Sequence, residues 1–274
     1  MRDVTYTGRD GCALYAASVG HGPPVVLLHG GGPDHRSLLP LAHRLADSYH
    51  VVLPDVRGYG RSVCADPARH TWAGYVDDVA ALCDHLGVDT VVLGGTGLGA
   101  TVSLRAALAH PERVRAQVLI SVEDIERDEA KRAEIEVMEA FARRVRTDGV
   151  EEAWATILVE LAPIIGSMVR DAIPRCDPES VAAAAAIGRD RSFRTVEELA
   201  PIMAPTLIFP GVDQRHPTRL AERLAELLPN GQLARTAFGT QLRTAEELAS
   251  AVAPTIRTFL VGLGADRPVV DDSP

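Results

Sequence analysis

Pairs of titratable side chains follow three of the segments that the sequence predicts to be buried strands, and such pairs could transfer protons. The carboxyl ends of parallel strands meet at one edge of a sheet, where α/β proteins place their pockets. A carboxylate with an imidazole within hydrogen-bond reach is a workable acid–base pair. The pairs are Asp34 and His35, Glu123 and Asp124, and Arg215 and His216. We take Asp34, His35 and Glu123 as acid–base candidates and place Asp124 and His216 in the pocket wall.

Each acid–base candidate also has a structural interpretation, and the alternatives stay open at this point. Asp34 could serve only as the cap of the helix that follows it. His35 could be a surface residue in the first turn of that helix. Glu123 could be a solvated charge at the start of a helical segment, because charged residues are mostly exposed.

Alternating strand and helix signals indicate the elements that must position these residues, and they predict an α/β protein. Short apolar runs are typical of parallel strands that are buried on both faces. Apolar residues that recur every three to four positions are typical of helices. The predicted strands are 24–28, 51–53, 90–94, 114–122, 206–209 and a weak one at 233–237. The predicted helices of this layout are 37–47, 72–86, 100–110, 218–228 and 245–260.

The alternation is interrupted between about Ile125 and Ala200, where the sequence predicts helices only. Pro163 is expected to kink one of them. A segment of this kind inside an α/β core is typical of a cap. Its apolar stripes predict a pocket for an apolar ligand, with Phe141, Trp154, Ile157 and Met168 as candidate lining residues. The predicted organisation is a core at 1–124 and 201–262, a helical cap at 125–200 and a flexible tail at 263–274.

Three motifs, taken together in this order and at this spacing, resemble those of the α/β-hydrolase superfamily. They are Val25-Val26-Leu27-Leu28-His29-Gly30-Gly31, then Asp55-x-Arg57-Gly58-x-Gly60-x-Ser62, then Val91-Val92-Leu93-Gly94-Gly95-Thr96-Gly97-Leu98-Gly99-Ala100. The resemblance covers roughly residues 10–262. It implies the α/β-hydrolase fold, a mostly parallel eight-stranded sheet flanked by helices, with a helical cap inserted after strand six. It also implies a catalytic triad of Ser, Asp and His in that chain order.

The third motif resembles the family's nucleophile elbow, Gly-x-Ser-x-Gly, but the position of the nucleophile is Gly97. A register shifted by one residue would make Thr96 the nucleophile. That shift would put Leu98 where the strand and helix backbones approach closely. The elbow also requires a positive φ, which a β-branched residue strongly disfavours and glycine adopts freely. We therefore expect Gly97 at the turn and Thr96 in the pocket wall.

The other two triad positions also depart from the family pattern. The acid normally follows strand seven, and the expected position is Gln214, with Asp213 one residue early and expected to point away. The histidine normally follows the last strand, where the chain has Thr240, and no histidine follows His216. We therefore expect a degenerate triad at Gly97, Gln214 and Thr240, because triad members act as a unit.

By the same resemblance, the backbone that stabilises an oxyanion is retained. Its donors would be the N–H groups of Gly31 and Leu98, with Gly30 beside them in the pocket. Such donors could polarise a carbonyl or hold an enolate without any covalent step.

Composition and charge restrict the classes of partner. The 274 residues, 46% of them hydrophobic, can form a sizeable core. The formal net charge of −9 argues against nucleic acid and anionic membranes as partners. The first ten residues lack the apolar core of a signal peptide, and the four cysteines form no CxxC pair. We expect a cytoplasmic monomer or homodimer without cofactor or metal, whose partner is a small apolar metabolite.

These features favour a non-hydrolytic enzyme that catalyses cyclisation, addition, isomerisation or elimination. Its substrate would be a small apolar, polyketide-like metabolite in a biosynthetic pathway, and the enzyme would be a cyclase, lyase or isomerase. The second hypothesis is a ligand-binding pseudoenzyme or scaffold. The third is a degenerate esterase-like hydrolase that uses water directly, or Thr96, with His35 or His216 as the base.

Overall fold

The computed structural model describes residues 1–125, 128–236, 238, 239 and 241–265, which form one sheet with helices on both of its faces. The strands are β1 (Arg2–Thr7), β2 (Ala13–Val19), β3 (Pro24–Leu28), β4 (His50–Pro54), β5 (Val91–Thr96), β6 (Val114–Ile120), β7 (Thr206–Phe209) and β8 (Gly231–Leu233). The α-helices are α1 (Leu39–Leu45), α2 (Trp72–Leu86), α3 (Leu98–Ala109), α4 (Asp128–Thr147), α5 (Val150–Leu158), α6 (Pro163–Ala172), α7 (Pro178–Ala184), α8 (Thr218–Leu227) and α9 (Ala245–Ala265).

The sheet has eight strands in the order β1-β2-β4-β3-β5-β6-β7-β8. The pairs β1–β2 and β2–β4 are antiparallel, and the five remaining pairs are parallel. The expected mostly parallel, eight-stranded sheet is therefore confirmed. Parallel pairing brings the carboxyl ends of β3, β5, β6 and β7 to the same edge, so the loops that follow these strands meet there.

The central strand β3 is buried on both faces, as its apolar sequence predicts. Val26 and Leu28 belong to a core cluster that includes residues of α2 and α3. Val25 and Leu27 belong to a second cluster that includes residues of α1 and α9. Successive side chains of a strand point to opposite faces, so one short apolar run stabilises both layers.

Several boundaries differ from the prediction. β1 and β2 were not predicted. β1 is mostly polar and exposed at the antiparallel edge of the sheet, whereas β2 contains an apolar run at 13–17, mostly buried between β1 and β4, that sequence reasoning missed. β8 precedes the predicted strand at 233–237 and has only three residues, which are largely exposed. Helix α9 extends to Ala265, so the start of the predicted tail is helical, and residues 266–274 lie outside the described residues.

Four helices, α4 to α7, lie between β6 and β7, and we refer to residues 121–205 as the insertion. Its own apolar cluster includes Phe141 and Trp154, whose ring centroids are 4.8 Å apart in an edge-to-face arrangement. Pro163 does not kink a helix, which corrects the expectation. It is the first residue of α6, where the missing N–H of proline costs no hydrogen bond. In the part of the chain that the structure describes, no helix combines the length and apolar character needed to cross a bilayer.

Candidate active site at the carboxyl edge of the sheet

The sharp turn between β5 and α3 is centred on Gly97, as expected from the motif. Gly97 has φ 50° and ψ −115°, while Thr96 is still the last residue of the strand. A side chain on Gly95 or Gly99 would collide with the carbonyl oxygen of Leu28, because the backbones approach closely there. The register with Gly97 at the turn is therefore confirmed.

Asp213 and His216 form a hydrogen-bonded pair in the loop after β7. His216 Nδ1 lies 2.8 Å from Asp213 Oδ1, and the side chains of both residues are 8% exposed. The backbone N–H of His216 donates to the same carboxylate oxygen, and the N–H of Ala162 donates to the other. The expectation that Asp213 points away is wrong, because the turn from 213 to 216 folds the carboxylate back onto the ring.

The other nitrogen of His216 faces the turn. A Cβ built on Gly97 would lie 3.3 Å from His216 Nε2 and 3.9 Å from Glu123 Oε1. Because Nδ1 donates to a carboxylate, Nε2 of the neutral ring carries the free lone pair. Burial alone would raise the pKa of Asp213, but hydrogen bonds from His216 and Ala162 outweigh it and lower that pKa. An ionised, oriented carboxylate therefore supports a basic nitrogen beside Gly97.

The two remaining predicted triad positions do not contribute to this arrangement. Gln214 is exposed and lines only an outer pocket, so Asp213 is the acid that the fold brings to the histidine. Thr240 lies outside the described residues. The chain has no histidine after the last strand, but the site still contains an imidazole, because His216 reaches Gly97 from the loop after β7.

Two backbone N–H groups at the turn can bind an oxyanion, as the resemblance implied. Leu98 is the first residue of α3, so its N–H has no acceptor within the helix, and the helix N-terminus favours negative charge. Within the described part of the chain, the N–H of Gly31 donates to no protein group. The hydroxyl of Tyr59, a residue that sequence reasoning missed, lies near Gly31, 3.7 Å from where a Cβ would stand.

Glu123 follows β6 and its carboxyl group faces the turn from another side. Burial is the main influence on it and raises its pKa, although His216, Arg215 and Lys131 act in the opposite direction. The residue keeps part of its surface accessible, because it lines the cavity above the turn. A carboxyl group with a raised pKa beside a basic imidazole can act as a proton donor.

Asp34 and His35 do not reach this site, which corrects their selection as acid–base candidates. His35 Nδ1 lies 2.8 Å from Asp55 Oδ1, and both side chains are buried in the neighbouring loop. Asp34 caps the next turn by accepting from the N–H of Arg36, and it forms an ion pair with Arg175. Asp34 therefore has the capping role that its structural interpretation gave it, whereas His35 is buried against Asp55 and is not the surface residue of its structural interpretation.

A cavity of about 110 Å³ lies above Gly97, between the sheet edge and the insertion. Gly30, Thr96 and His216 form part of its floor. The predicted apolar candidates Phe141, Trp154, Ile157 and Met168 all line it. Asp124 lies outside it, in a larger pocket of about 750 Å³ that shares several wall residues with the cavity. The site is therefore a small apolar chamber beside a wider outer pocket, which we call the vestibule.

Sequence reasoning missed other polar residues of the cavity. Ser121, which follows β6, has φ 58°, and its buried hydroxyl has no hydrogen-bond partner within the described protein. Its carbonyl accepts from the N–H of Gly97, so this strained residue joins β6 to the turn. Lys131 and Glu134 also line the cavity, as does Arg215, which the sequence had placed beside His216. No sequence signal distinguished Ser121, Lys131 or Glu134 as residues of the site.

The raised pKa of Glu123 predicts a pH-dependent effect of Glu123→Gln on stability. Ionisation of this carboxyl group is less favourable in the folded than in the unfolded state. The wild type therefore loses stability as pH rises from the unfolded pKa, near 4.5, through the raised folded value. We expect the variant to have the higher free energy of unfolding at pH 8 and no such advantage at pH 4, measured by urea denaturation.

The control for this measurement is Glu112→Gln, which removes an exposed carboxylate with 67% side-chain exposure. It tests whether the loss of one negative charge from an acidic chain is by itself enough to produce this pH dependence of stability. An equal pH dependence in the two variants would contradict the assignment to the buried carboxyl group of Glu123.

Comparison with known proteins finds similarity to proteins that are named hydrolases. Residues 23–157 match the family described as alpha/beta hydrolase fold. The chain is 36% identical over 127 residues to epoxide hydrolase 3 of Siraitia grosvenorii, covering 44% of this chain and 39% of that protein. It is 34% identical over 107 residues to 2-hydroxymuconate semialdehyde hydrolase of Pseudomonas sp. (strain CF600), covering 37% of each. The aligned region thus spans about two fifths of the length of these curated relatives.

Solved structures resemble the chain over nearly all of its length. A thermophilic esterase from Thermogutta terrifontis superposes with a TM-score of 0.81 at 28% identity, covering 96% of this chain and 99% of that chain. The enol-lactonase from Burkholderia xenovorans LB400 superposes with a TM-score of 0.76 at 20% identity, covering 94% and 100%. The latter identity supports the fold alone. The predicted α/β-hydrolase fold class is therefore confirmed.

The expectation of a non-hydrolytic cyclase, lyase or isomerase is contradicted. The relatives found by sequence and by structure include epoxide hydrolases, an esterase and an enol-lactonase, all of which are hydrolytic. The physical reason for the error is the histidine after β7. The expectation assumed that no base could reach the turn, whereas His216 faces it with Asp213 behind.

Proposed function

We propose that this chain, which has the α/β-hydrolase fold, hydrolyses esters or lactones of small, largely apolar compounds by direct attack of water. In this proposal the triad lacks only its nucleophile. Gly97 stands at the elbow, while Asp213 and His216 serve as acid and base. The observation that carries the proposal is the 3.3 Å between His216 Nε2 and the position that a Cβ on Gly97 would occupy.

The space above Gly97 suits a water molecule. A serine would fill it with a hydroxymethyl group, so glycine leaves room close to the base. His216 Nε2 and Glu123 Oε1 border this space, and a buried water needs two to four polar partners. A water held there would lie within reach of both a proton acceptor and the carbonyl carbon of a substrate in the cavity.

The reaction follows from the protonation states that the contacts favour. His216 Nε2 removes a proton from the water while its oxygen forms a bond to the carbonyl carbon. The N–H groups of Gly31 and Leu98 stabilise the resulting oxyanion. The ionised Asp213 stabilises the imidazolium ion and keeps Nδ1 protonated. When the tetrahedral intermediate collapses, the bond to the leaving oxygen breaks.

The leaving alkoxide then takes a proton from His216 Nε2 or from the carboxyl group of Glu123. Burial raises the pKa of Glu123, which favours the protonated form that can donate a proton. No acyl-enzyme forms, because no side-chain nucleophile joins the substrate carbon. Direct attack of water through one intermediate is therefore the mechanistic feature that separates this chain from a triad hydrolase.

Two features support carbonyl substrates of modest size. The oxyanion donors suit a carbonyl oxygen, and the chamber of about 110 Å³ has room for a small acyl group. The vestibule of about 750 Å³ can hold a larger leaving group. The thermophilic esterase that resembles this chain at 28% identity is named for the hydrolysis of the same class of bond.

The test combines an activity assay with a covalent probe. The purified protein is assayed with p-nitrophenyl acetate, p-nitrophenyl butyrate and γ-butyrolactone, and it is incubated with a fluorophosphonate probe. We expect turnover above the buffer rate, no burst of nitrophenol and no labelling. Labelling or a burst would contradict the direct attack of water. Binding of esters without any turnover would instead support the ligand-binding pseudoenzyme.

A further inference from the structure

A cluster of charged side chains lies in the otherwise apolar wall where the cavity meets the vestibule. It consists of Lys131 and Glu134 on α4 and Arg215 in the loop after β7, and all three line both spaces. Lys131 Nζ lies 2.6 Å from Glu134 Oε2, and an Nη atom of Arg215 lies 3.4 Å from Glu134 Oε1. We refer to these three residues as the cationic cluster.

The cationic cluster has more positive than negative charge. Lys131 and Arg215 share the single carboxylate of Glu134. Glu123 also lines the cavity, and burial raises the pKa of its carboxyl group, which disfavours the charged form. One cation is therefore incompletely neutralised, in a wall that otherwise consists of side chains such as Met138 and Ile157. An incompletely neutralised cation at a partly dehydrated position attracts an anion.

The position of Lys131 is unusual for this chain. It is the only lysine among 274 residues, and its side chain is 12% exposed. Lysine side chains are mostly exposed in folded proteins, and pairs three residues apart on a helix usually lie on the solvated face. Here the pair faces the cavity, beside the route from the vestibule to His216. An ion pair with a purely structural role would gain little stability from this location.

The vestibule is lined by charged side chains of both signs. Arg144, Arg191 and Arg219 line it, although the whole chain has a formal net charge of −9. Arg219 pairs with Asp124, which also lines the vestibule, and Glu160 adds a further carboxylate. The preference for an anion therefore rests on the cationic cluster and not on the vestibule.

We propose that the cationic cluster binds a carboxylate at one end of the substrate, while the scissile carbonyl lies above Gly97 at the other. The ligand class is an apolar molecule with one terminal carboxylate. The assignment of the scissile end rests on the proposed hydrolysis, whereas the binding of the carboxylate does not. Lys131 donates from its ammonium group and Arg215 from its guanidinium, and both loosen their hold on Glu134 to do so.

The test measures binding without turnover. Isothermal titration calorimetry compares 4-phenylbutyrate with 4-phenylbutanamide, which has the same apolar body and no charge. We expect the acid to bind the wild type about tenfold more tightly, a modest factor because the cluster is partly solvated. Lys131→Met is expected to abolish this preference, and Lys131→Arg, which keeps the charge, is expected to retain most of it.

Arg9→Met is the matched control, because it removes one positive charge at an exposed site where Arg9 pairs with Asp77. It is expected to leave the preference unchanged. Equal binding of acid and amide by the wild type, or a preference that survives in Lys131→Met, would overturn the proposal. Because the probes contain no ester, the result stands whether or not the protein hydrolyses esters, so failure of this proposal is separable from failure of the proposed function.

Discussion

Replacing His216 with glutamine is expected to lower kcat/KM for ester hydrolysis by about 10²- to 10⁴-fold, the range that one general base contributes. Glutamine approximates the size of the ring but cannot accept a proton from water. Asp213→Asn is expected to have a loss of similar order, because an amide in that position favours the wrong ring tautomer. Initial rates with p-nitrophenyl butyrate measure both effects.

The control for the histidine substitution is His110→Gln, at a partly exposed position that pairs with Glu112. It should retain wild-type rates. A His216 variant that folds like the wild type and hydrolyses the ester equally fast would exclude this residue as the base.

Local sterics made the elbow predictable from sequence. A turn that requires positive φ is compatible with glycine and strongly disfavours threonine, so Gly97 could be placed there without any tertiary information. The same holds for α2, whose bounds coincide with the prediction. Its apolar spacing sets its length, and Gly87 ends it in the left-handed conformation. Features that depend on neighbouring residues of the chain are therefore readable from the sequence.

The base could not be found in this way, because its placement depends on the path of a loop. The sequence shows Asp213 and His216 three residues apart, but outside a helix this spacing gives no direction. Only the turn after β7 decides that the ring lies against the carboxylate and faces Gly97. Reasoning from expected positions in the chain therefore treated the histidine as lost, although the loop after β7 supplies one.

The cationic cluster shows the same limit on a larger scale. Glu134 and Arg215 are 81 positions apart, and they meet because α4 packs over the loop after β7. The relation between the insertion and the core is a tertiary property that amphipathic periodicity does not contain. Lys131 is a single lysine in an arginine-rich chain, and neither its partner nor its orientation can be derived from that fact.

Gly97 lacks the hydroxyl of a serine nucleophile, so we expect the substitution Gly97→Ser to introduce covalent reactivity. The backbone at residue 97 already has the positive φ of the elbow, and a Cβ there would lie 3.3 Å from His216 Nε2. A shift of a few tenths of an ångström would allow the serine hydroxyl to donate to that nitrogen. We expect the variant to be labelled by the fluorophosphonate probe and to release a burst of nitrophenol, neither of which the wild type does.

The substitution also has a cost in stability. A non-glycine residue in this conformation costs on the order of 1–3 kcal/mol, so the variant should unfold at a lower urea concentration than the wild type. The control is Gly97→Ala, which introduces the same Cβ without the hydroxyl. It should remain unlabelled and should lose wild-type hydrolysis, because the methyl group occupies the space proposed for the attacking water.

Gly97→Ala tests where the attacking water lies, and Gly97→Ser tests whether His216 faces the turn. Full activity in Gly97→Ala would exclude a water above residue 97. A folded Gly97→Ser that stays unlabelled would mean that His216 does not face the turn closely enough to activate a hydroxyl. Labelling of Gly97→Ser that disappears in the double variant with His216→Gln would trace both reactions to one nitrogen, which accepts a proton from water in this chain and from serine in the variant.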